Sequence, residues 1–332
     1  MRFEDLKLGE LRDLSEAMAT VAAASASGIF SALLEGPTSS EELAERQDLS
    51  PRATAILLPF LAELGLLEIN GQAFQLTPRA RRELADPSSP EYSAGGLPLW
   101  LHNLEAWTRL PEVLEAGGPV EAREPDSDSG SDSRREEIAR FMAGMAAAPE
   151  ERVQRLVEGI LARKPDAETV LDLGGGPGHI SRAFLERGLR ATLMDKPEVV
   201  EFVDEEYGLA EEAGISTMGG DFLVDPVPGG PFDVVLLSNV IHMLSEDQAE
   251  SLIQKVGEVT EKGSVIAVAD FIRGRSPRAA RFALVMLLRT PNGNTYTEEA
   301  HERWFRKAGF GDLEVLDLDP DRQLLTAVRG HG

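Results

Sequence analysis

Residues Val170–Ile180 read V-L-D-L-G-G-G-P-G-H-I, and S-R-A-F-L-E-R follows over Ser181–Arg187. The apolar run Val170–Leu173 predicts a buried strand, and the stretch from Ser181 predicts a helix. Between them stand Gly174, Gly175, Gly176 and Gly178. Glycine tolerates positive φ and lets a ligand come close to the backbone, while a helix N-terminus offers free N–H groups to a polar or anionic ligand. The dinucleotide spacing G-x-G-x-x-G fails here, because its third glycine would fall on position 179, which is His.

The spacing fits better the D-x-G-x-G-x-G loop that wraps the amino-acid part of S-adenosylmethionine, with Asp172 as the acid and Gly174 and Gly176 in the turn. A second acid, Asp195, ends the next apolar run, Ala191–Met194. An acid at the end of the second strand can accept both hydroxyls of a ribose. A third, Asp221, stands beside Phe222 in G-G-D-F after the following strand, where an adenine amine needs an acceptor. A glycine loop alone is a weak signal. With acids at successive strand ends it becomes specific.

At 332 residues the chain can hold two domains and a sizeable core. It has no Cys, which removes disulfides and thiolate metal sites, and no ligand cluster is evident, so no metal is expected. The opening M-R-F-E-D-L-K-L-G-E lacks an apolar signal region and no apolar run reaches spanning length, so a cytoplasmic protein is expected. The formal charge of −24 disfavours nucleic acid and anionic membrane as partners, because the summed field repels both. A salt-adapted surface and a merely acidic protein fit that charge equally.

Apolar spacing predicts a helix over Leu11–Leu34 through the small-residue stretch A-T-V-A-A-A-S-A-S-G, a surface suited to a partner subunit. A second helix is announced by Thr38 and Ser39 with Glu41 and Glu42 in capping-box range, and a third by Ser50-Pro51, running to Leu64 with a kink at Pro59. Leu66–Ile69, Asn70-Gly71 and Ala73–Leu76 then predict a hairpin. Three helices and a hairpin are a winged helix. Its third helix offers only Arg52, with Arg79, Arg81 and Arg82 beyond the wing, so dimerisation or a structural lid is favoured over DNA binding.

Helix is predicted again over Leu97–Gly118, with Trp100 and Trp107, and over Glu136–Arg163, with Phe141 and Met145 on one face. The acidic, Ser-rich stretch 124–133 between them reads as a mobile surface loop. From Ala167 strands at 169–173, 191–194, 215–218, 233–238 and 264–269 alternate with helices, the pattern of a parallel, doubly wound sheet. Leu313–Leu318 and Gln323–Val328, joined by Asp319-Pro320-Asp321, predict an antiparallel hairpin at its end. The expected domains are 1–90 (winged helix), 91–163 (helical linker and acceptor lid) and 164–332 (catalytic sheet).

The strand Phe232–Leu237 runs into S-N-V-I-H-M-L, where Ser238 and His242 stand at a carboxyl end, the side on which such sheets bind ligands. Imidazole suits general-base work on a hydroxyl near neutral pH; a helix-capping or buried structural His is the other reading. Asp270 ends the neighbouring strand, placed to brace the imidazole or to lie solvated. Met286 lies in a helical stretch leading to T-P-N-G-N-T-Y-T, which opens with Thr290; this segment either walls a pocket or packs.

Taken together, nearly the whole chain resembles the S-adenosylmethionine-dependent O-methyltransferases built like the plant caffeate and hydroxyindole enzymes, with bacterial relatives acting on carotenoids, phenazines and polyketides. D-L-G-G-G-P-G resembles that family's cofactor loop, M-D-K-P-E-V-V its ribose segment and G-G-D-F its adenine segment. F-M-A-G-M resembles the helix that sets Phe and Met over the acceptor, and S-N-V-I-H the motif carrying the catalytic base. The resemblance implies a winged-helix dimerisation domain ahead of a class I methyltransferase sheet, a homodimer, a small-molecule methyl acceptor and S-adenosylmethionine as donor. It implies His242 as base, Asp270 as its brace, and Phe141, Met145, Met286 and Thr290 around the acceptor. A second acid common in the family falls on Thr295, so one acid rather than two is expected beside the His.

Overall fold

The computed structural model describes residues 7–120 and 131–330. Chain contacts divide it into two compact units, residues 1–108 and 109–332. Residues 124–130 of the acidic stretch lie outside the described residues; its last three residues, from Ser131, open a helix.

In the first unit, α1 (Leu8–Ala26), α2 (Ser40–Arg46) and α3 (Pro51–Glu63) precede the hairpin β2 (Leu67–Asn70) and β3 (Ala73–Leu76). A short strand β1 (Thr38–Ser39), absent from the sequence reading, pairs with β3 to complete a three-stranded sheet. The expected helix over Leu11–Leu34 is broken. Gly28 adopts φ +70°, and a Cβ there would press on the Gln47 side chain, so the chain turns before the one-turn helix Ile29–Ala32. Ser39 caps α2 through a reciprocal box with Glu42, and α3 runs on through Pro59. Leu43, Leu58, Leu61, Phe74 and Leu76 fill the core of this unit. The helix α4 (Leu97–Thr108) closes it, with Trp100 packed beside Leu97 and Ala22.

The second unit begins with α5 (Leu110–Ala116), α6 (Ser131–Ala146) and α7 (Glu150–Arg163). The single helix expected over Glu136–Arg163 is therefore two. Pro149 lacks an N–H and its ring would collide with the preceding turn, so the chain extends there (ψ 128°) and restarts.

Next come β4 (Thr169–Leu173), α8 (His179–Glu186), β5 (Arg190–Asp195), α9 (Pro197–Tyr207), β6 (Ile215–Gly219) and β7 (Phe232–Ser238). The chain ends with α10 (Glu246–Glu258), β8 (Thr260–Asp270), α11 (Ala279–Arg289), α12 (Glu298–Lys307), β9 (Phe310–Asp317) and β10 (Gln323–Arg329). The seven-stranded sheet has the order β6-β5-β4-β7-β8-β10-β9. Its first five strands are parallel, and β10 runs antiparallel to β8 and β9.

Alternate residues of each central strand feed two cores, as the pleat requires. Val170, Val234 and Ala267 face the helices α7, α8 and α9, while Leu171, Val235 and Ile266 face α10 and α12. The order reverses between β4 and β7, whose carboxyl ends diverge and leave the crevice in which such sheets hold ligands. Among the described residues no single helix is long and apolar enough to cross a membrane; α1 meets the test only together with Ile29–Glu35, across a 61° bend.

The central strand pair is pinned at its amino end by Asp233, whose Oδ2 accepts from the N–H groups of Glu168 and Thr169 and from the Thr169 hydroxyl. Removing a carboxylate that satisfies three donors should cost about 2–3 kcal/mol. Urea unfolding of Asp233→Ala checks this, with a lowered midpoint and an unchanged slope expected.

Candidate active site

The glycine loop leaves β4 with Gly174, Gly176 and Gly178 all at positive φ, +73°, +50° and +73°. A Cβ on Gly174 would stand 2.6 Å from the Val240 side chain, so the loop passes too close to the end of β7 for any other residue. Phe222 lies against the same glycine, 3.7 Å from that position. Asp195 straps the loop down: its Oδ2 accepts from Gly176 N–H at 2.9 Å and its Oδ1 from Lys196 N–H at 2.7 Å. Each oxygen keeps a further lone pair for a ligand's donor.

Asp172 is buried beneath the loop. Its Oδ2 accepts the Ser181 hydroxyl at 2.7 Å, whereas Oδ1 is buried with no hydrogen-bond partner among the described residues. A carboxylate oxygen in that state suits a ligand that brings its own N–H or O–H donors, and the glycine cradle beside it suits a nucleoside amino acid. Burial pushes the Asp172 carboxyl up to about 6, opposed by the Ser181 bond and aided by the charge of Asp195. Asp221 is exposed and accepts from Leu223 N–H at 2.9 Å; it lines a cavity of about 360 Å³ with Phe222, Gln248 and Lys255.

A second cluster forms one strand along. The parallel register of β7 and β8 sets Ser238 opposite Ala269, so the residues just beyond each strand meet. His242, in the helical turn Ile241–Met243, lies over Asp270: Nδ1 is 2.7 Å from Oδ1, and the His242 N–H donates to Oδ2 at 3.1 Å. Both side chains are buried, at 6% and 2% exposure, so the pair is shielded from water. No described residue hydrogen-bonds His242 Nε2. Burial pushes the Asp270 carboxyl up, but the charge and hydrogen bond of His242 and the Phe271 N–H outweigh it and hold the carboxyl below its ordinary value. Thr295 is buried and neutral, its hydroxyl donated to Ala279 O at 3.2 Å, so Asp270 is the one acid on this imidazole among the described residues. Another imidazole, His301 on α12, is buried near Asp270; burial holds it below the ordinary imidazole range.

The segment after α11 closes over His242, with Asn294 N–H donating to His242 O at 2.9 Å. Met286 is buried. The Thr290 hydroxyl donates to Met286 O at 2.8 Å and accepts from Gly293 N–H at 2.8 Å, so its proton is committed to shaping this turn. Met145 and Ser238 line one small cavity. Phe141 stands apart from it, 53% exposed, while its neighbour Met142 is buried with its sulfur 3.7 Å from where a Cβ on Gly176 would lie. Sequence reasoning gave Phe271 no role and placed Phe282 only in the helical stretch of Met286, which walls a pocket or packs. Phe282 meets His242 edge-on with centroids 4.8 Å apart and stacks on Phe271 at 4.0 Å. The position of Phe271, directly after Asp270, was the only available signal.

Comparison with known proteins identifies the family. An O-methyltransferase domain matches residues 129–311 and an O-methyltransferase dimerisation domain matches residues 12–86. The polyketide 8-O-methyltransferase of tetracenomycin synthesis, TcmO, from Streptomyces glaucescens is 31% identical over 88% of this chain and 88% of its own. The 3-hydroxy-5-methyl-1-naphthoate 3-O-methyltransferase of Streptomyces sahachiroi is 26% identical over 90% of this chain and 87% of its own. Human N-acetylserotonin methyltransferase, solved with S-adenosylmethionine, shares the fold with a TM-score of 0.81 at 22% identity, covering 98% of this chain and 97% of that one. Fold and site thus define a class I methyltransferase. The chain belongs to the S-adenosylmethionine-dependent O-methyltransferase family, with the family's dimerisation domain ahead of the catalytic one.

The raised Asp172 has a measurable consequence. An acid whose folded pKa lies above its unfolded value loses stability as pH rises through that interval, here from about 3.9 to about 6. The interval corresponds to about 3 kcal/mol. Without ligand, Asp172→Asn should therefore decline less than the parent between pH 4 and pH 7, by about that amount. Urea titrations at several pH values check this, and parallel curves would contradict it.

Proposed function

We propose that the chain transfers a methyl group to a hydroxyl of a small aromatic or polyketide-type molecule, with His242 as general base and Asp270 as the residue that orients it. The observation that carries this reading is the buried His242–Asp270 pair, which occupies Nδ1 and leaves Nε2 for a ligand. S-adenosylmethionine, when bound, supplies an electrophilic methyl on a sulfonium that departs as a neutral thioether. Asp172, Gly174, Gly176, Asp195, Asp221, Phe222 and Ser238 are the residues we assign to holding it. Nε2 takes the hydroxyl proton as the acceptor oxygen becomes nucleophilic. Asp270, held ionised, fixes the tautomer and stabilises the imidazolium that forms. Met145 and Met286, with the exposed Phe141, are the residues we assign to the acceptor. The acceptor class is drawn from the relatives, which act on a polyketide and a hydroxynaphthoate.

His242→Ala should bind S-adenosylmethionine as the parent does and lose roughly 10²–10⁴-fold in rate, the usual weight of a positioned base. Wild-type turnover by His242→Ala on a hydroxyl acceptor would remove proton abstraction by this residue.

We further propose that residues 1–90 make a homodimer through α1, which leaves Leu8, Leu14 and Met18 exposed within its unit beside a run of small residues. Leu14→Glu with Met18→Glu should convert the dimer to a monomer of unchanged helix content. Light scattering and circular dichroism check this, and a monomeric parent at micromolar concentration would end the idea.

A further inference from the structure

The chain carries a net charge of −24, yet one cavity inside the catalytic unit is basic. It holds about 70 Å³ and is lined by Met145, Arg152, His179, Asn239, Ala269 and Arg322 among others. That is room enough for a carboxylate group or a few waters.

Arg322, at the start of β10, is mostly buried, with its guanidinium 4.5 Å over the Phe271 ring. No carboxylate among the described residues lies within ion-pair distance of it. The three acids whose charges reach it are engaged elsewhere, Asp270 with His242. Asp319 pairs with Arg152 at 3.2 Å through Oδ2, and its Oδ1 accepts from the N–H groups of Asp321 and Arg322, while Asp321 pairs with Arg278 at 3.1 Å. Two nitrogens, Arg322 Nε and His179 Nδ1, are buried with no hydrogen-bond partner among the described residues. Arg152 thus holds the nearby carboxylate, and Arg322 has none within ion-pair distance among the described residues. A buried cation without a counter-ion is unfavourable unless a ligand supplies the charge, and the planar guanidinium fork matches a carboxylate.

We propose that Arg322, with Arg152, forms a subsite for a ligand's carboxylate. This rests on the reading that the cleft binds a methyl donor and an acceptor. Either could bring the group: the donor at its amino-acid end, or the acceptor as an aromatic hydroxy acid. Two observations bear on the source. His179 opens the helix that follows the glycine loop, on the donor side. Arg322, however, heads a file through Phe271 and Phe282 to His242, with ring separations of 4.0 and 4.8 Å. An anion on Arg322 would anchor a flat molecule along that file, with a hydroxyl directed to the imidazole. The file favours the acceptor.

Calorimetry on the full chain separates the sources without any turnover. With S-adenosylhomocysteine saturating, 1-naphthoate should bind the parent at least about tenfold more tightly than the neutral 1-naphthamide, and Arg322→Gln should abolish that difference. Arg322→Lys, which keeps the charge and loses the fork, should retain part of it. In the donor arm, Arg322→Gln should leave S-adenosylhomocysteine affinity within about twofold; a loss of about tenfold that spares the decarboxylated analogue would assign the subsite to the donor instead. If the parent does not distinguish naphthoate from naphthamide, and no substitution at Arg322 weakens S-adenosylhomocysteine, the subsite is refuted. The parent comparison needs no variant to fold. His242→Ala should bind naphthoate as the parent does, so an error about the base appears in turnover and an error about the subsite appears in these titrations.

Discussion

One hydrogen bond, from Gly176 N–H to Asp195 Oδ2, ties together the parts on which this catalytic unit depends. It joins the loop after β4 to the end of β5, and so sets the floor of the crevice where β4 and β7 part. The loop can reach that position only because Gly174, Gly176 and Gly178 adopt positive φ, and because Gly174 has no side chain to strike Val240. The same closeness buries Asp172 below the loop with an unpartnered oxygen. The fold therefore carries an electrostatic cost at Asp172, at a place where a ligand's donor can relieve it, a common way for binding sites to differ from cores.

The imidazole–carboxylate pair arises from a different constraint. Parallel strands in register present their ends side by side, so a residue just past β7 and the last residue of β8 become neighbours. Asp270 uses that adjacency fully. Its two oxygens accept from His242 Nδ1–H, His242 N–H and Phe271 N–H, which fixes both the ring and the turn that carries it. Low exposure strengthens these bonds, and together with the charge of His242 they outweigh the upward push of burial on the acid. With Thr295 neutral, the imidazolium that forms during proton transfer would be stabilised by one charge.

The distribution of charge follows the same economy. Carboxylates dominate the surface, where hydration stabilises them, and many pair with arginines, as Arg134 does with Glu198 and Arg135 with Glu205 and Glu206. Such exposed pairs contribute little individually. Some cations are partly buried, Arg152 and Arg322 among them, and lie in lower dielectric, where charge acts strongly on whatever enters. An acidic protein can thus present an attractive site to an anion, although its overall field repels one.

Much of this could be read along the chain. The glycine spacing after Val170–Leu173, the acids Asp172, Asp195, Asp221 and Asp270, and His242 five residues past the apolar run of β7 are local signals. Each depends on a short segment ending a strand. The alternation of strands and helices followed by a tight hairpin likewise determined the class of sheet. Other features needed the folded chain. Met142 rather than Phe141 lies under the glycine loop, because one residue rotates a helix face by about 100° and packing chooses the angle. The broken helices at Gly28 and Pro149 depended on neighbours as well as on residue type, Gln47 standing where a Cβ on Gly28 would go. The meeting of Arg322 with Phe271, Phe282 and His242 joins segments about 40 to 80 positions apart in sequence, and no local pattern encodes it. Residue chemistry at strand ends was legible because the period of two and the turn glycines specify it; which side chains share a cavity was decided by close packing across the sheet.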